Sequence, residues 1–196
     1  MGVFLTAVFF LLISPGPGVL STAGVGSAFG AKAGYRYVFG LFLGTNLVAL
    51  AVVTGLAGLV LAQPGLRTVL MYASVLYLLY LAARIAFAGS GIAFIESVKA
   101  PGIVDAVLLQ AINPKAYVVN TALFTGFRFA DTSLLNETLW KFFLINLIWI
   151  PIHILWLGVG IGLKQLELPA FWQRTVNILM ACSLVAVVIL AITMNS

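Results

Sequence analysis

Apolar runs of 18 or more residues return at short intervals along this chain, separated by turns too short to fold by themselves. Each run can cross a hydrocarbon core of roughly 30 Å as a helix, and lipid offers no water to satisfy an open backbone. The repetition therefore restricts the fold to an all-α, polytopic membrane protein. Composition agrees: 63% of the 196 residues are hydrophobic and 8% charged, with a mean hydropathy of +1.17.

Six runs can be delimited, at 4–26, 37–61, 68–87, 102–127, 139–163 and 171–193. The first has no Lys or Arg ahead of it and reads as a span, not a cleaved signal peptide. Three runs lie on each side of the longest and most mixed link, 89–101. The expected organisation is a single transmembrane domain, 1–196, with one repeat at about 1–88 and another at about 102–196. A shift of 100 residues places Asn46 on Asn146 and Gly58 on Gly158, and a shift of 99 places Pro15 on Pro114. Repeating three spans inverts the second half, so the expectation is two inverted three-helix repeats, an arrangement of secondary transporters with a midplane site.

Ten Lys/Arg against five Asp/Glu give a net charge of +5, but the basic residues are spread over short loops, and nucleic acid is not an expected partner. Lys32, Arg36, Arg84, Lys99, Lys164 and Arg174 fall at loops one, three and five, whereas Arg67, Arg128 and Lys141 fall at two and four. The odd loops are then cytoplasmic and both termini face outward.

Two runs are interrupted, by Ser14-Pro15-Gly16-Pro17-Gly18 and by Asn113-Pro114-Lys115. Proline lacks the N–H and clashes with the carbonyl four residues back, so each reads as a helix broken near the midplane. Ser14 and Asn113 are good N-caps, with Pro15 and Pro114 at the first helical position. Each break then aims the positive end of a helix at mid-membrane, while the carbonyls of Leu11 and Gln110 lose their partners. Free donors beside free acceptors suit a ligand carrying both a carboxylate and an ammonium. Close packing through Gly16 and Gly18 explains the first break as well as function does. Lys115 is different: a lysine at mid-span costs on the order of 3 kcal/mol, which favours a residue facing a polar cavity.

Asn46 and Asn146 read equally as substrate contacts or as an interhelical hydrogen bond worth about 0.6 kcal/mol. Asp105, Glu96 and His153 are candidates for proton coupling, with an exposed helix-start carboxylate as the competing explanation for Asp105 and a packed ring for His153. One histidine, scattered acids and the lone Cys182, read as packed, supply no metal site and no redox pair. Neither cofactor nor enzymatic chemistry is expected.

Ser14-Pro15-Gly16-Pro17, the glycine-rich turn after it, Tyr77-Leu78-Leu79-Tyr80-Leu81 and Asn113-Pro114-Lys115-Ala116 resemble, in order and spacing, the LysE/RhtB family of bacterial amino-acid exporters. The resemblance covers most of the chain. It implies efflux of amino acids or derivatives from the bacterial plasma (inner) membrane in exchange for protons, without ATP, and it matches Pro15, Gly16, Pro17, Asn113, Pro114 and Lys115 to motif positions. Gly18 departs from the Asn or Asp usual there. Asn46 stands near the place where exporters of basic amino acids carry an aspartate, which points to small neutral substrates. A homo-oligomer is compatible with this reading. The alternatives are a divalent-cation exporter of the same superfamily and a non-transporting membrane scaffold in which the breaks only pack helices.

Overall fold

In the lipid interior, burying a leucine between helices gains little over leaving it in contact with acyl chains, so polar ties and close backbone approach must hold such helices together. The computed structural model describes residues 1–14, 16–87, 99–129, 132–166 and 168–193, and these are arranged as α-helices: α1 Gly2–Ile13, α2 Pro17–Phe29, α3 Ala31–Val53, α4 Leu56–Leu61, α5 Pro64–Ala86, α6 Ile103–Ile112, α7 Pro114–Thr125, α8 Leu134–Gln165 and α9 Ala170–Thr193. Among the described residues α3, α5 and α8 are each long and apolar enough to cross a membrane, and α1 with α2, set at 50° to one another, makes a fourth crossing if counted as one span.

Several boundaries differ from the sequence expectation for local reasons. The turn before α3 is Gly30 alone, with φ +81°, so the helix begins at Ala31 and not at 37. It also stops early. Thr54 returns its hydroxyl to the Leu50 carbonyl at 2.9 Å, and Gly55 at φ +78° takes the left-handed conformation that ends helices, which leaves α4 as a separate short element. Pro64 takes the first position of α5, four residues ahead of the expected start.

Gly34 meets Leu157 and Asn46 meets Asn146, so α3 and α8 run antiparallel. Gly40 packs on Ala106 and Gly44 on Gln110, so α3 and α6 run parallel. Gly160 lies directly on the backbone of Ala23 and Ser27, an approach that no larger residue permits. These contacts gather one end of the molecule around a large apolar cluster that includes Val25, Tyr37, Leu41, Leu81, Ile85 and Leu109. Beyond the breaks, a smaller cluster of Phe4, Val8, Val119, Leu123 and Ile145 joins α1, α7 and α8. Leu43, Leu47 and Leu50 of α3 and Phe143, Leu147 and Ile150 of α8 are exposed, the surface a bilayer covers. Cys182, expected to be packed, is exposed on α9.

Polar ties hold both ends. Arg84 of α5 pairs with Asp105 at 3.2 Å, bonds the Lys99 carbonyl, and stacks over Tyr80 at 5.3 Å from the ring centroid. Tyr77 donates to the Asp105 carbonyl at 2.7 Å, so the Tyr77–Tyr80 motif fastens α5 to the start of α6. At the other end Lys141 is fully buried. It bonds Glu137 at 2.6 Å and the carbonyls of Phe124 and Phe127, which caps α7 from α8.

Candidate functional site

The two breaks meet. Lys115, second residue of α7, extends its ammonium to the carbonyl and the hydroxyl of Ser14, each at 2.8 Å. The cation therefore sits at the carbonyl end of α1, where the helix dipole is negative, and this offsets both its burial and its unfavourable position at the start of α7. Its stem lies across Gly16: a Cβ there would stand 2.9 Å from Cδ and Nζ.

The second break forms as its residues dictate. Asn113 caps α7, accepting the Lys115 amide on its side chain at 3.1 Å, and Pro114 takes the first helical position. The first break does not follow that pattern. The N-cap of α2 is Gly16 and its first residue is Pro17, so Ser14 is not the cap and the helix does not start at Pro15. The Ser14 hydroxyl instead turns back to the Leu11 carbonyl at 2.9 Å while accepting from Lys115. Pro15 itself lies outside the described residues.

Gly16 carries no side chain to cap α2, so the first-turn amides of Gly18 and Val19 have no acceptor within the helix. The acceptors expected to be free are largely taken. Besides Leu11, the Gln110 carbonyl accepts the Asn113 amide at 3.3 Å, and the Ala111 carbonyl accepts the Tyr117 hydroxyl at 2.7 Å. What the breaks leave over includes the first-turn donors of α2.

Around them lies a cavity of about 50 Å³, roomy enough for several water molecules. Ser14, Gly16, Gly18, Asn113, Lys115 and His153 line it, as do Gln110, Asn120, Thr45 and Trp149. Its apolar wall comes from Leu11, Leu12, Val119, Leu123 and Ile145. No carboxylate among the described residues lines it, and no group of three His, Cys, Asp or Glu among them could hold a metal ion.

His153 is buried, stacked on Trp149 with ring centroids 3.5 Å apart, and its Nδ1 lies 3.0 Å from the Trp149 carbonyl. Pro151, two residues before it, does not interrupt α8.

Three expected site residues lie elsewhere. Asn46 and Asn146 bond each other reciprocally, at 3.1 and 2.8 Å, and each returns its second amide hydrogen to the carbonyl four residues back, Phe42 or Phe142. Their donors are thus taken up in the α3–α8 interface, outside the cavity lining, because the two amides are each other's complement at the crossing point. Asp105 caps α6 through the Gly102 amide at 2.7 Å and pairs with Arg84, away from the breaks. Glu96 lies outside the described residues. Gln110 and Asn120, which sequence reasoning passed over as site residues, had a signal: both are polar amides within seven positions of Asn113 in an otherwise apolar run.

The family described as LysE type translocator matches residues 9–195 of this chain. The chain is 31% identical over 129 residues to the leucine efflux protein of Salmonella choleraesuis (strain SC-B67), covering 63% of this chain and 61% of that protein. It is 29% identical over 140 residues to the leucine efflux protein of Enterobacter sp. (strain 638), covering 68% and 64% respectively. The aligned region thus spans less than two thirds of the length of these relatives. No solved structure matches the chain.

Proposed function

The chain belongs to the LysE type translocator family, and from that premise we propose that it is a secondary exporter of small neutral amino acids in the bacterial inner membrane, driven by proton exchange. As a family member it is a multi-pass membrane transporter and not an enzyme. The observation that carries the substrate reading is the cavity where the breaks meet: a lysine ammonium and the first-turn amides of α2 on one side, an apolar wall on the other. A carboxylate binds the Gly18 and Val19 amides and Lys115. An aliphatic side chain lies against Leu11, Val119, Leu123 and Ile145. The absence of carboxylates among the described lining residues disfavours basic amino acids and divalent cations alike. The relatives' name, leucine efflux, agrees with a branched aliphatic substrate.

Six spans in two inverted repeats remain our reading of the architecture. It is supported by the paired breaks, by the antiparallel α3 and α8, and by the meeting of Asn46 with Asn146. Alternating access follows from rocking one half against the other. Clustering of Lys32, Arg84, Lys99 and Lys164 at the end where α3 and α6 begin and α5 and α8 finish supports a cytoplasmic placement of that end, with both termini outside.

The Lys115–Ser14 bridge is also what a purely structural lysine makes, which keeps the scaffold alternative in play. Uptake of a labelled amino-acid panel into inverted vesicles under a pH gradient decides. Leucine, isoleucine or methionine should accumulate, and Lys115→Gln should lower transport by about tenfold or more, the scale of one lost charge-assisted hydrogen bond of roughly 1.5–3 kcal/mol. A folded protein that moves no amino acid, or full transport by Lys115→Gln, sinks the assignment.

A further inference from the structure

We propose that the Nε2 lone pair of His153 is a single acceptor contested by the substrate's α-ammonium and a proton, so that one amino acid and one proton exclude each other. This rests on the exporter reading and supplies the ammonium partner that Asn46 and Asn146 cannot provide.

A carbonyl oxygen only accepts, so the 3.0 Å contact with Trp149 assigns the hydrogen to Nδ1 and leaves the neutral ring's lone pair on Nε2. Among the described residues nothing donates to that nitrogen. It is aimed at the first turn of α2: a Cβ on Gly18 would stand 3.5 Å from Nε2 and 3.8 Å from the side-chain nitrogen of Gln110. Two residues earlier, Gly16 carries Lys115 across it. A carboxylate held by the Gly18 and Val19 amides and Lys115 therefore has its own α-ammonium, two bonds away, beside Nε2. Several acceptors nearby already carry a donor: Ser14 accepts from Lys115, the Leu11 carbonyl from Ser14, and Gln110 Oε1 from the Asn113 amide at 3.1 Å.

The groups facing the ring carry no negative charge. From α2 comes Gly18, from α6 the amide of Gln110, from α7 Lys115, and from α8 itself Trp149. On α3, Tyr37 stands one turn from the Gly34–Leu157 contact and so at the level of His153, as a neutral phenol. Asp105 is five residues, about 7.5 Å, before Gln110 on α6 and is engaged by Arg84. With no carboxylate to share the site, a proton on Nε2 both removes the lone pair and sets a positive charge where the ammonium would lie. In the cycle, substrate leaves outward, an N–H bond forms on Nε2 with a proton from that side, and that proton departs to the cytoplasm before the next ammonium binds.

The test is leucine binding to the purified protein between pH 3.5 and 8, beside 4-methylpentanoate, the same molecule without its amine. On the acid side of the ring's titration the apparent Kd for leucine should rise about tenfold per pH unit, whereas that of the analogue, reckoned on its ionised form, should stay flat or fall. Any change in the charge of Lys115 acts on both ligands alike, since both carry the carboxylate. His153→Gln keeps an oxygen acceptor that takes no proton. In proteoliposomes it should show reduced but measurable leucine–leucine exchange, pH-independent binding, and no response to a pH gradient. Equal acid-side slopes for leucine and its analogue in the unaltered protein overturn the proposal, as does an unchanged slope in His153→Gln. If that variant does not fold, the comparison of the two ligands decides alone. A protein that neither binds nor exchanges any amino acid is a distinct result and overturns the exporter reading itself.

Discussion

A single asparagine in a membrane helix is neutral enough to be tolerated and polar enough to need a partner. Asn46 and Asn146 show how the need is met, since each donates to the other and back to its own helix. A double-mutant cycle of Asn46→Ala and Asn146→Ala should give a coupling on the order of 1 kcal/mol in thermal or denaturant unfolding, about twice the usual interhelical bond. Their 100-residue spacing was legible in the sequence, but whether they served substrate or interface was not, because that depends on which faces of α3 and α8 turn inward. Lys115 divides in the same way. Its cost in lipid marks it out on sight, while its partner, Ser14, stands 101 residues away in sequence. Which of two neighbouring prolines opens α2 was also undecidable locally. Both satisfy the rules for a first helical residue, and the draw of Lys115 on Ser14 favours the later start.

At the level of elements, the break between α6 and α7 is a single residue wide and rests on Pro114. Proline in a helix interior costs about 3 kcal/mol, so Pro114→Ala restores an N–H for the Gln110 carbonyl and favours a continuous helix. Such a protein should unfold at the same temperature or higher while the proposed amino-acid transport falls at least tenfold, the two being read by thermal unfolding and proteoliposome uptake. Transport that survives would mean the break is not needed. The element pattern was largely readable: all six apolar runs appear as helices or helix pairs, and both interruptions fall where proline stands. Boundaries such as Ala31 and Val53 were missed because Gly30 begins and Gly55 ends a helix through a positive-φ backbone, a choice that apolar periodicity does not encode.

Across the whole molecule the two apolar clusters are unequal. The larger seals the end formed by α2, α3, α5, α6 and α9, and the smaller leaves the α1–α7 end looser. The cavity reflects this. Toward the sealed end its lining on the broken helices stops within a turn of the breaks, at Val19 and Gln110, whereas along α7 it reaches Leu123, about 13 Å past Pro114. The cavity therefore extends further toward the α1–α7 end than toward the sealed one. In a Cys182→Ala background, Asn120→Cys should react with a membrane-impermeant maleimide added outside the cell, and Ser27→Cys, buried at the sealed end, from neither side. Labelling of the Ser27 position alone would reverse the assignment. None of this asymmetry is visible in the sequence, where the two halves look interchangeable. It follows from which side of each break the glycines at 34, 40, 44 and 160 allow backbones to close.

The Asn46–Asn146 contact has the property that defines an isologous interface: the same residue, making the same bonds, contributes from both sides. Two copies of a single half-length chain, inserted in opposite senses and meeting about a twofold axis in the membrane plane, would form it from one codon. The contact needs no second specialised partner, so a duplication could have carried it over already made.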